Sequence, residues 1–380
     1  MKAKKFLYIL LSVCLLFGLS SCRKETAKQP FASDEFPVDE NTTTAENRFE
    51  VHFIDVGQGD AALVLCDAEA MLIDGGKPQA SSIIYTYLKK LNIEKLNYIV
   101  CSHADDDHIG GLSAPLAKMT VENILAPETP ADTRAYRSIT EKAAEQKITI
   151  RHPKCGESMD FASSKINFYG PVTESADDRN NGSIVMKVIY GETSFLFTGD
   201  AERIEEQQIL DAGYDISATV LKVGHHGSKN SATYPFLREV MPKYAVISVG
   251  KNSYGHPTED TLSRLRDADV KVYRTDMQGD IIAVSDGKTV SFKTSKNENV
   301  QTNPTAEART ELSAAEPIAE TTTPPLAETH EYICNGNTKK FHYANCRAVS
   351  KMSEENKIHL NCTRDEAIAK GYEACKICKP

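Results

Sequence analysis

Three consecutive carboxylates lie between two histidines where the sequence reads SHADDDHIGGL, from Ser102 to Leu112. At neutral pH the side chains of Asp105, Asp106 and Asp107 repel one another, so a fold that orders them needs a cation nearby. A solvated acidic loop is the alternative for an isolated Asp triplet. Because His103 and His108 flank this triplet, the pattern favours a metal site.

Three further groups of polar residues follow apolar runs that have strand character. They are Gly199-Asp200 after SFLFT, His225-His226 after TVLKVG, and Tyr254-Gly255-His256 after YAVISVG. The ends of strands in a layered α/β fold can converge on one edge. One histidine at a strand end is more often structural than ligating, but four such loops predict a metal cage.

Apolar runs of strand character alternate with helical patterns between residues 49 and 294, which indicates an α/β domain. The helical candidates are residues 81–91, 131–146, 201–212, 231–240 and 258–267, and the last begins with a capping pattern, PTEDTLSRL. The net charge of −9 and the pI near 5.7 argue against coating nucleic acid by bulk electrostatics. Cys66, Cys101 and Cys155 are expected to be buried small hydrophobes rather than disulfide partners.

These motifs together resemble the metallo-β-lactamase superfamily and, more narrowly, the hydrolase domain of the ComEC family of bacterial DNA uptake. The resemblance covers residues 49–294 and rests on HADDDHIGG, FTGD, KVGHHGS and SVGKNSYGHP, preceded by FIDVGQGDAALV and MLIDGG. It implies a four-layer αββα sandwich with the site at one edge of the two sheets. It also implies a metal-dependent hydrolase whose substrate is DNA or another phosphodiester.

The resemblance also implies the ligands of two divalent ions. His103 and Asp105 hold one ion, Asp107 and His108 the other, Asp200 bridges them, and His256 completes the second site. Asp105 stands where the superfamily usually has a second histidine. This hard oxygen ligand favours manganese, whereas the general order of affinities favours zinc, so both metals stay open.

One histidine of the family pattern is missing, because no histidine occurs between Pro153 and Gly224. Asn180, Asn181 and Ser183, in RNNGSIV, are the candidates to fill its place or to bind substrate. His225 and His226 are assigned to phosphate binding or to protonation of the leaving oxygen, with a metal role for one of them as the alternative. Together with Asp107 they form the predicted catalytic set.

The last fifty residues carry a second pattern of metal ligands. His342 and Cys346 are followed by Cys375 and Cys378, two pairs that predict a tetrahedral structural zinc site, with disulfides as the alternative. The segment 331–380 resembles the zinc-binding domain of the Ada methyl-phosphotriester repair family. In that family the first ligand is the methyl-accepting cysteine, so with His342 there the repair activity should be absent. Contact with a phosphate backbone and simple stabilisation of the tail both stay open.

The first 22 residues have the pattern of a lipoprotein signal peptide. Lys2, Lys4 and Lys5 precede an apolar run of about a dozen residues, too short for a permanent membrane span, and LSSC resembles a lipobox. Cys22 would then carry the lipid, and residues 23–48 and 295–330 would be polar linkers. We therefore expect an extracytoplasmic, membrane-anchored protein.

The sequence as a whole predicts a lipid-anchored metal-dependent hydrolase, a phosphodiesterase or nuclease that acts on DNA together with the uptake machinery. One alternative keeps the site and changes the substrate to a cell-wall phosphoester, a cyclic nucleotide or a lactone. Another alternative is a non-catalytic DNA receptor, in which the missing histidine leaves the site unable to hold both ions.

Overall fold

The computed structural model describes residues 48–174, 177–305, 330–344, 346–375 and 378. The predicted signal peptide, Cys22 and nearly all of the first linker lie outside the described residues. The chain divides into two compact units, Met1–Asn303 and Pro304–Pro380. Within the described ranges, no helix has both the length and the apolar character needed to span a bilayer.

The first unit contains fifteen strands in its described part. Their bounds are β1 Phe49–Phe53, β2 Ala62–Cys66, β3 Glu69–Ile73, β4 Lys95–Val100, β5 Thr120–Leu125, β6 Ile150–Arg151, β7 Ser158–Phe161, β8 Ser164–Gly170, β9 Val185–Tyr190, β10 Thr193–Phe197, β11 Val220–Lys222, β12 Tyr244–Ile247, β13 Lys271–Arg274, β14 Ile281–Ser285 and β15 Val290–Thr294.

The strands form two sheets, in the orders β15-β14-β1-β2-β3-β4-β5-β6 and β13-β12-β11-β10-β9-β8-β7. Strands β3 to β6 run parallel, as do β10 to β13. The other pairings are antiparallel. Each sheet therefore has one parallel half, whose strands all end at the same edge.

Eight α-helices accompany these sheets in the described residues. They are α1 Ser81–Lys90, α2 Asp106–Ile109, α3 Ser113–Lys118, α4 Arg134–Glu145, α5 Arg203–Ala212, α6 Tyr234–Val240, α7 Glu259–Asp267 and α8 Thr275–Gln278. The predicted cap of α7 is present, since the side chain of Thr258 accepts a hydrogen bond from the backbone N–H of Thr261.

Three buried clusters define the layers. The first packs one sheet on the other and includes Phe53 and Phe168. The second joins the outer face of the first sheet to α1 and α4 through Ile84 and Ile139. The third covers the outer face of the second sheet with α5, α6 and α7, where Phe236 is buried. This is the predicted four-layer αββα sandwich, and the predicted fold class is confirmed.

Residues 295–303, which composition assigned to a linker, pack on the first unit instead. Thr302 is buried and donates a hydrogen bond to the carbonyl of Val272, and Asn303 donates one to the carbonyl of Leu262. These side chains satisfy backbone acceptors of the first unit, which explains why a polar segment is held there.

The second unit is built on a four-stranded sheet. Its elements are β16 His330–Asn335, β17 Lys340–Tyr343, β18 Lys357–Cys362, β19 Glu373–Ala374 and the helix α9 Arg364–Ala369. The strand order is β18-β16-β17-β19. A reciprocal capping box between Thr363 and Glu366 begins α9, and Tyr332 and Phe341 form the centre of a small core.

Two neighbouring glutamates of α5 are both buried but differ in their partners. The carboxylate of Glu206 accepts hydrogen bonds from the backbone N–H groups of Ala232 and Thr233 and from the Thr233 hydroxyl. Neither carboxylate oxygen of Glu205 has a hydrogen-bond partner among the described residues. Burial raises the pKa of the Glu205 carboxyl well above its usual value of 4.5.

Replacing Glu205 is therefore expected to stabilise the protein. Glu205→Met removes an unpaired buried carboxyl and should raise the free energy of unfolding at pH 7 by about 1–3 kcal/mol in urea titrations. Since the folded state binds this proton more tightly, wild-type stability falls as the pH rises above 4.5, and the variant should show a smaller fall.

The matched control is Glu206→Met, which leaves one buried donor and two partly buried donors without their acceptor. It should destabilise the protein by about 1–3 kcal/mol or more. Equal effects of the two substitutions would contradict this assignment.

Candidate metal centre

Polar side chains from four strand ends meet at the edge where the parallel strands finish. Asp74 follows β3, and the His103 loop follows β4. Asp200 follows β10 in the other sheet, and His225-His226 follow β11. The convergence expected from the sequence is thus brought about by two parallel half-sheets that end side by side.

The carboxylate of Asp200 lies at the centre of this group and is almost completely buried. Its Oδ1 is 3.0 Å from Nε2 of His108. Its Oδ2 is 3.7 Å from Nε2 of His225 and 3.9 Å from Nε2 of both His103 and His226. Four imidazole nitrogens therefore face one carboxylate, two from each sheet.

The other ring nitrogens of His103 and His108 are held by hydrogen bonds. Nδ1 of His108 is 2.9 Å from Oδ2 of Asp74, and a carboxylate can only accept, so this nitrogen carries a proton. The hydroxyl of Ser102 donates to the same Asp74 carboxylate and lies 3.1 Å from Nδ1 of His103. Nε2 of His103 is buried and forms no hydrogen bond with any described residue, and Nε2 of His108 is buried against the Asp200 carboxylate, 3.0 Å away.

His226 is oriented in the same way from the second sheet. Its Nδ1 donates to the backbone carbonyl of Ser248 at 2.9 Å and lies 3.2 Å from Asp60. Asp60 forms a buried ion pair with Lys222, at 2.7 Å. Nε2 of His226 is also buried without a hydrogen bond to a described residue, and it lies 3.7 Å from Oδ2 of Asp107.

These contacts set the charges of the site. Burial alone would lower the pKa of His108, but the carboxylates of Asp200 and Asp74 raise it well above its usual value. In the same way Asp200 and Asp60 overcome the burial of His226 and raise its pKa to about 9. Burial and the neighbouring His108 lower the pKa of His103 to about 4. Protons on two imidazoles thus compensate the buried carboxylates until another cation replaces them.

The donor set fits divalent metal ions. The ligand atoms of His103, His108 and Asp200 all lie within 4.8 Å of one another, as do those of Asp60, Asp200 and His226. Two atoms bound to one zinc ion at about 2.1 Å are roughly 3–4 Å apart, so modest movements would complete the coordination. Buried nitrogens with their opposite side fixed by a hydrogen bond are typical of metal-binding histidines.

The remaining predicted ligands of the acidic loop also lie at this edge. Oδ2 of Asp105 is 3.9 Å from Nε2 of His103, while its Oδ1 accepts a hydrogen bond from Nε of Arg179 at 2.5 Å. Asp107 faces His226 as described, whereas Asp106 is exposed. An open pocket is lined by Asp105, Asp107, Asp200, His225, His226 and His256.

His256 lies at the rim of this pocket and not among the clustered donors. Its ring packs edge-on against that of His225, with the centroids 5.3 Å apart. No group of clustered metal donors in the described residues contains it. His226, which the sequence assigned to phosphate binding or proton donation, lies in such a group instead. The ligand role of His256 stays a prediction, and the structure favours His226 for that place.

The three candidates for the missing histidine have different surroundings. The hydroxyl of Ser183 accepts from the backbone N–H of Asp200 and donates to the carbonyl of Asn180. The side chain of Asn181 accepts backbone N–H groups at the start of α5. Only Asn180 of these three lines the pocket.

His225 and His226 occupy a strained turn. Their φ angles are +47° and +53°, in the left-handed region that costs a non-glycine residue roughly 1–2 kcal/mol. Nδ1 of His225 is 2.8 Å from the Glu202 carboxylate, and this contact and the Ser248 contact hold the two rings. Such strain is typical of functional sites, because it aims side chains that relaxed backbone would turn away.

Sequence reasoning missed the roles of Asp60 and Asp74. Both lie in quoted motifs, FIDVGQGDAALV and MLIDGG, but no spacing rule links them to their histidines. The glycine pair after His108 explains how Asp74 comes so close: a Cβ on Gly111 would lie 1.9 Å from the carbonyl oxygen of Gly75. Only glycine permits this approach of the two loops.

The four predicted zinc ligands of the second unit also cluster. The ligand atoms of His342, Cys346, Cys375 and Cys378 lie within 4.8 Å of one another, and Nδ1 of His342 is buried without a hydrogen bond to a described residue. None of the cysteines in the described residues forms a disulfide. This donor set suits tetrahedral zinc.

The chain is similar in sequence to parts of curated proteins. ComE operon protein 3 of Bacillus subtilis (strain 168) is 32% identical over 251 residues, which cover 61% of this chain and 32% of that protein. Competence protein ComA of Neisseria gonorrhoeae is 34% identical over 239 residues, with coverages of 62% and 32%. The chain thus spans about a third of the length of these curated relatives.

A solved structure, the metallo-beta-lactamase fold protein YhfI from Bacillus subtilis, is 10% identical, with a TM-score of 0.44. The superposition covers 64% of this chain and 100% of that chain. The model of the metallo-beta-lactamase superfamily matches residues 54–251, which is more than half of the chain. With its two packed sheets and the histidines and aspartates at their common edge, this chain belongs to the metallo-beta-lactamase superfamily.

Proposed function

We propose that the protein is a metal-dependent phosphodiesterase that cleaves DNA. The observation that carries this proposal is the set of buried imidazole nitrogens that face the Asp200 carboxylate from both sheets, at 3.0 Å for His108 and 3.9 Å for His103 and His226. Members of this superfamily are generally metal-dependent hydrolases, and the relatives of this chain include a competence protein, ComA, and the ComE operon protein 3. DNA is therefore the substrate class that we favour.

Some residues of this site would bind metal, and others would bind substrate. His103, His108, Asp200 and His226 would hold divalent zinc or manganese, with Asp105 and Asp107 at the open side. Bound ions of this kind activate a water molecule and stabilise the charge that develops at phosphorus. His225, fixed by Glu202 and lining the pocket, lies where it can contact a phosphate oxygen.

We also propose that the second unit is a structural zinc module and that the protein is lipid-anchored outside the cytoplasm. Support for the zinc comes from the Cys/His cluster, and support for the anchor comes from the lysine-flanked apolar start and Cys22. An anchored position would bring the site to DNA that enters through an uptake machinery.

Asp107 and Asp106 form a matched pair for testing the centre. Asp107→Ala should lower the metal content and reduce cleavage of single-stranded DNA by at least about 100-fold, because a carboxylate beside His226 is lost. Asp106→Ala, an exposed neighbour in the same triplet, should change neither. Asp200→Ala should behave like Asp107→Ala. Mass spectrometric metal analysis and a nuclease assay with Mn²⁺ or Zn²⁺ measure both quantities.

Several results would contradict this function. Full activity and full metal content in Asp107→Ala and Asp200→Ala would show that these residues do not form the metal centre. If the wild-type protein binds metal but cleaves only cell-wall phosphoesters, cyclic nucleotides or lactones, the assignment of DNA as the substrate is wrong. Near-zero metal in the first unit together with DNA binding would indicate a receptor.

The contact between Asp74 and His108 gives a second prediction. Asp74→Asn replaces the carboxylate that orients the ring by a neutral amide and should weaken metal binding by about 10- to 100-fold. Competition with a fluorescent chelator measures the affinity, and circular dichroism verifies the fold. An unchanged affinity would show that the orientation of His108 does not depend on this carboxylate.

The zinc module can be tested in the full-length chain. Cys375→Ser should lower the zinc content by one ion per chain, because a thiolate ligand is lost, while Cys334→Ser should leave it unchanged. Cys334 is a buried cysteine of the same unit outside the cluster. A disulfide between clustered cysteines, found by mass spectrometry without reduction, would refute the zinc assignment.

A further inference from the structure

Two residues that line the metal pocket have no role in holding metal. Gln58 lies in the loop between β1 and β2, and Tyr254 lies in the loop after β12. They come from different sheets and open onto the same pocket as Asp200 and His225. Their chemistry, a neutral donor and an aromatic ring, differs from that of the surrounding acids and imidazoles.

Gln58 presents an unused hydrogen-bond donor to this pocket. The side chain is only 7% exposed. Its Oε1 accepts the backbone N–H of Gly250 at 3.3 Å, and this contact leaves Nε2 as the free end of the amide. Nε2 is buried and has no hydrogen-bond partner among the described residues. An unpaired buried donor costs about 1–3 kcal/mol, so a ligand that accepts from it would gain affinity.

Tyr254 is a large aromatic side chain that is 69% exposed on an ordered loop. The side-chain oxygen of Asn252 accepts the backbone N–H groups of Tyr254, Gly255 and His256, and the Asn252 amide donates to the carbonyls of Gly250 and His256. Five hydrogen bonds from one side chain thus fix the loop. The ring of Tyr254 is therefore exposed to solvent beside the pocket on a loop that is already ordered. A ligand that binds to it does not have to order the loop, which would cost entropy.

The charges around these residues favour one kind of ligand. The exposed side chain of Lys251 precedes Tyr254 in the same loop and adds a positive charge to a loop that borders a pocket lined by Asp105, Asp107 and Asp200. An aromatic face binds a flat base irrespective of its identity, and a neutral amide donor suits a phosphate oxygen. A base paired in a duplex is not free to stack on a side chain, which favours a single strand.

We propose that Gln58 and Tyr254 form a nucleotide subsite beside the metal centre for single-stranded nucleic acid. The base next to the reacting phosphate stacks on Tyr254, and Gln58 donates a hydrogen bond to a phosphate oxygen. This subsite rests on the proposed phosphodiesterase function, because it would hold the nucleotide next to the phosphodiester that is cleaved.

The experiment compares two single-stranded probes of equal length and charge, one with bases and one abasic. Phosphorothioate linkages in both allow binding to be measured by fluorescence anisotropy without cleavage. The metal-loaded full-length protein should bind the base-bearing probe about 5- to 150-fold more tightly. Tyr254→Ala should remove most of this preference and Tyr254→Phe should keep it, since stacking needs the ring and not the hydroxyl.

Two further variants separate the roles. Tyr214→Ala, the same change at an exposed tyrosine that does not line the pocket, should keep the preference. Gln58→Glu keeps an acceptor for the N–H of Gly250 but removes the donor. It should weaken binding of both probes equally, by at least about 10-fold.

The outcomes distinguish the subsite from the proposed function. Equal affinity of the wild-type protein for both probes, or a preference that survives in Tyr254→Ala, overturns the subsite. If unmodified oligonucleotides are cleaved while the preference is absent, the subsite fails and the phosphodiesterase stands. If the preference depends on Tyr254 but no phosphodiester is cleaved, the phosphodiesterase fails and the subsite stands.

Discussion

The buried carboxylate of Asp200 is the constraint on which the rest of the site depends. It lies in the loop after β10, between histidines of both sheets, and burying an unpaired carboxylate costs several kcal/mol. Its charge requires nearby positive charge, and the carboxylates accordingly raise the pKa values of His108 and His226. In the proposed function a divalent ion would take the place of these protons. One charge thus couples the two halves of the sandwich at their common edge.

The main features of the fold could be predicted from the sequence, because hydrophobic alternation and caps are local. The cap of α7 at Thr258 and the helix that begins at Ser81 are examples. The ligand-bearing loops could be predicted for a related reason, since parallel strands deliver their carboxyl ends to one edge. Residues 295–303 could not, because polar composition does not reveal that Thr302 and Asn303 satisfy backbone carbonyls of the first unit.

The choice among the histidines was beyond sequence reasoning for a physical reason. His226 and His256 both lie in glycine-containing turns after neighbouring parallel strands. Which ring faces Asp200 depends on the left-handed backbone of His226 and on its bond to the carbonyl of Ser248. Neither the backbone conformation nor this hydrogen bond can be recognised from the spacing of residues in the sequence. Asp74 was missed similarly, because it lies 34 positions before His108 in the sequence and meets it through the close contact of two glycine loops.

The loop from Gly57 to Asp60 links metal binding to the neighbouring subsite. The backbone N–H of Asp60 donates to the carbonyl of Asp107 at 3.0 Å, so this loop supports the acidic triplet. The Asp60 carboxylate reaches His226 and Lys222 in the other sheet. Two residues earlier Gln58 accepts from Gly250, where a Cβ would lie 2.4 Å from the carbonyl carbon of Gly57.

A shift of this loop would therefore move the carboxylate of Asp60 and the side-chain amide of Gln58 together. The buried Asp60–Lys222 pair opposes such a shift, because separating its charges inside the protein leaves each one unpaired. Gly250 contributes by allowing the two loops to approach at all. The rigidity of the site thus comes from contacts between the sheets, and the same contacts set the distance between the candidate metal-binding side chains and the proposed base-binding tyrosine.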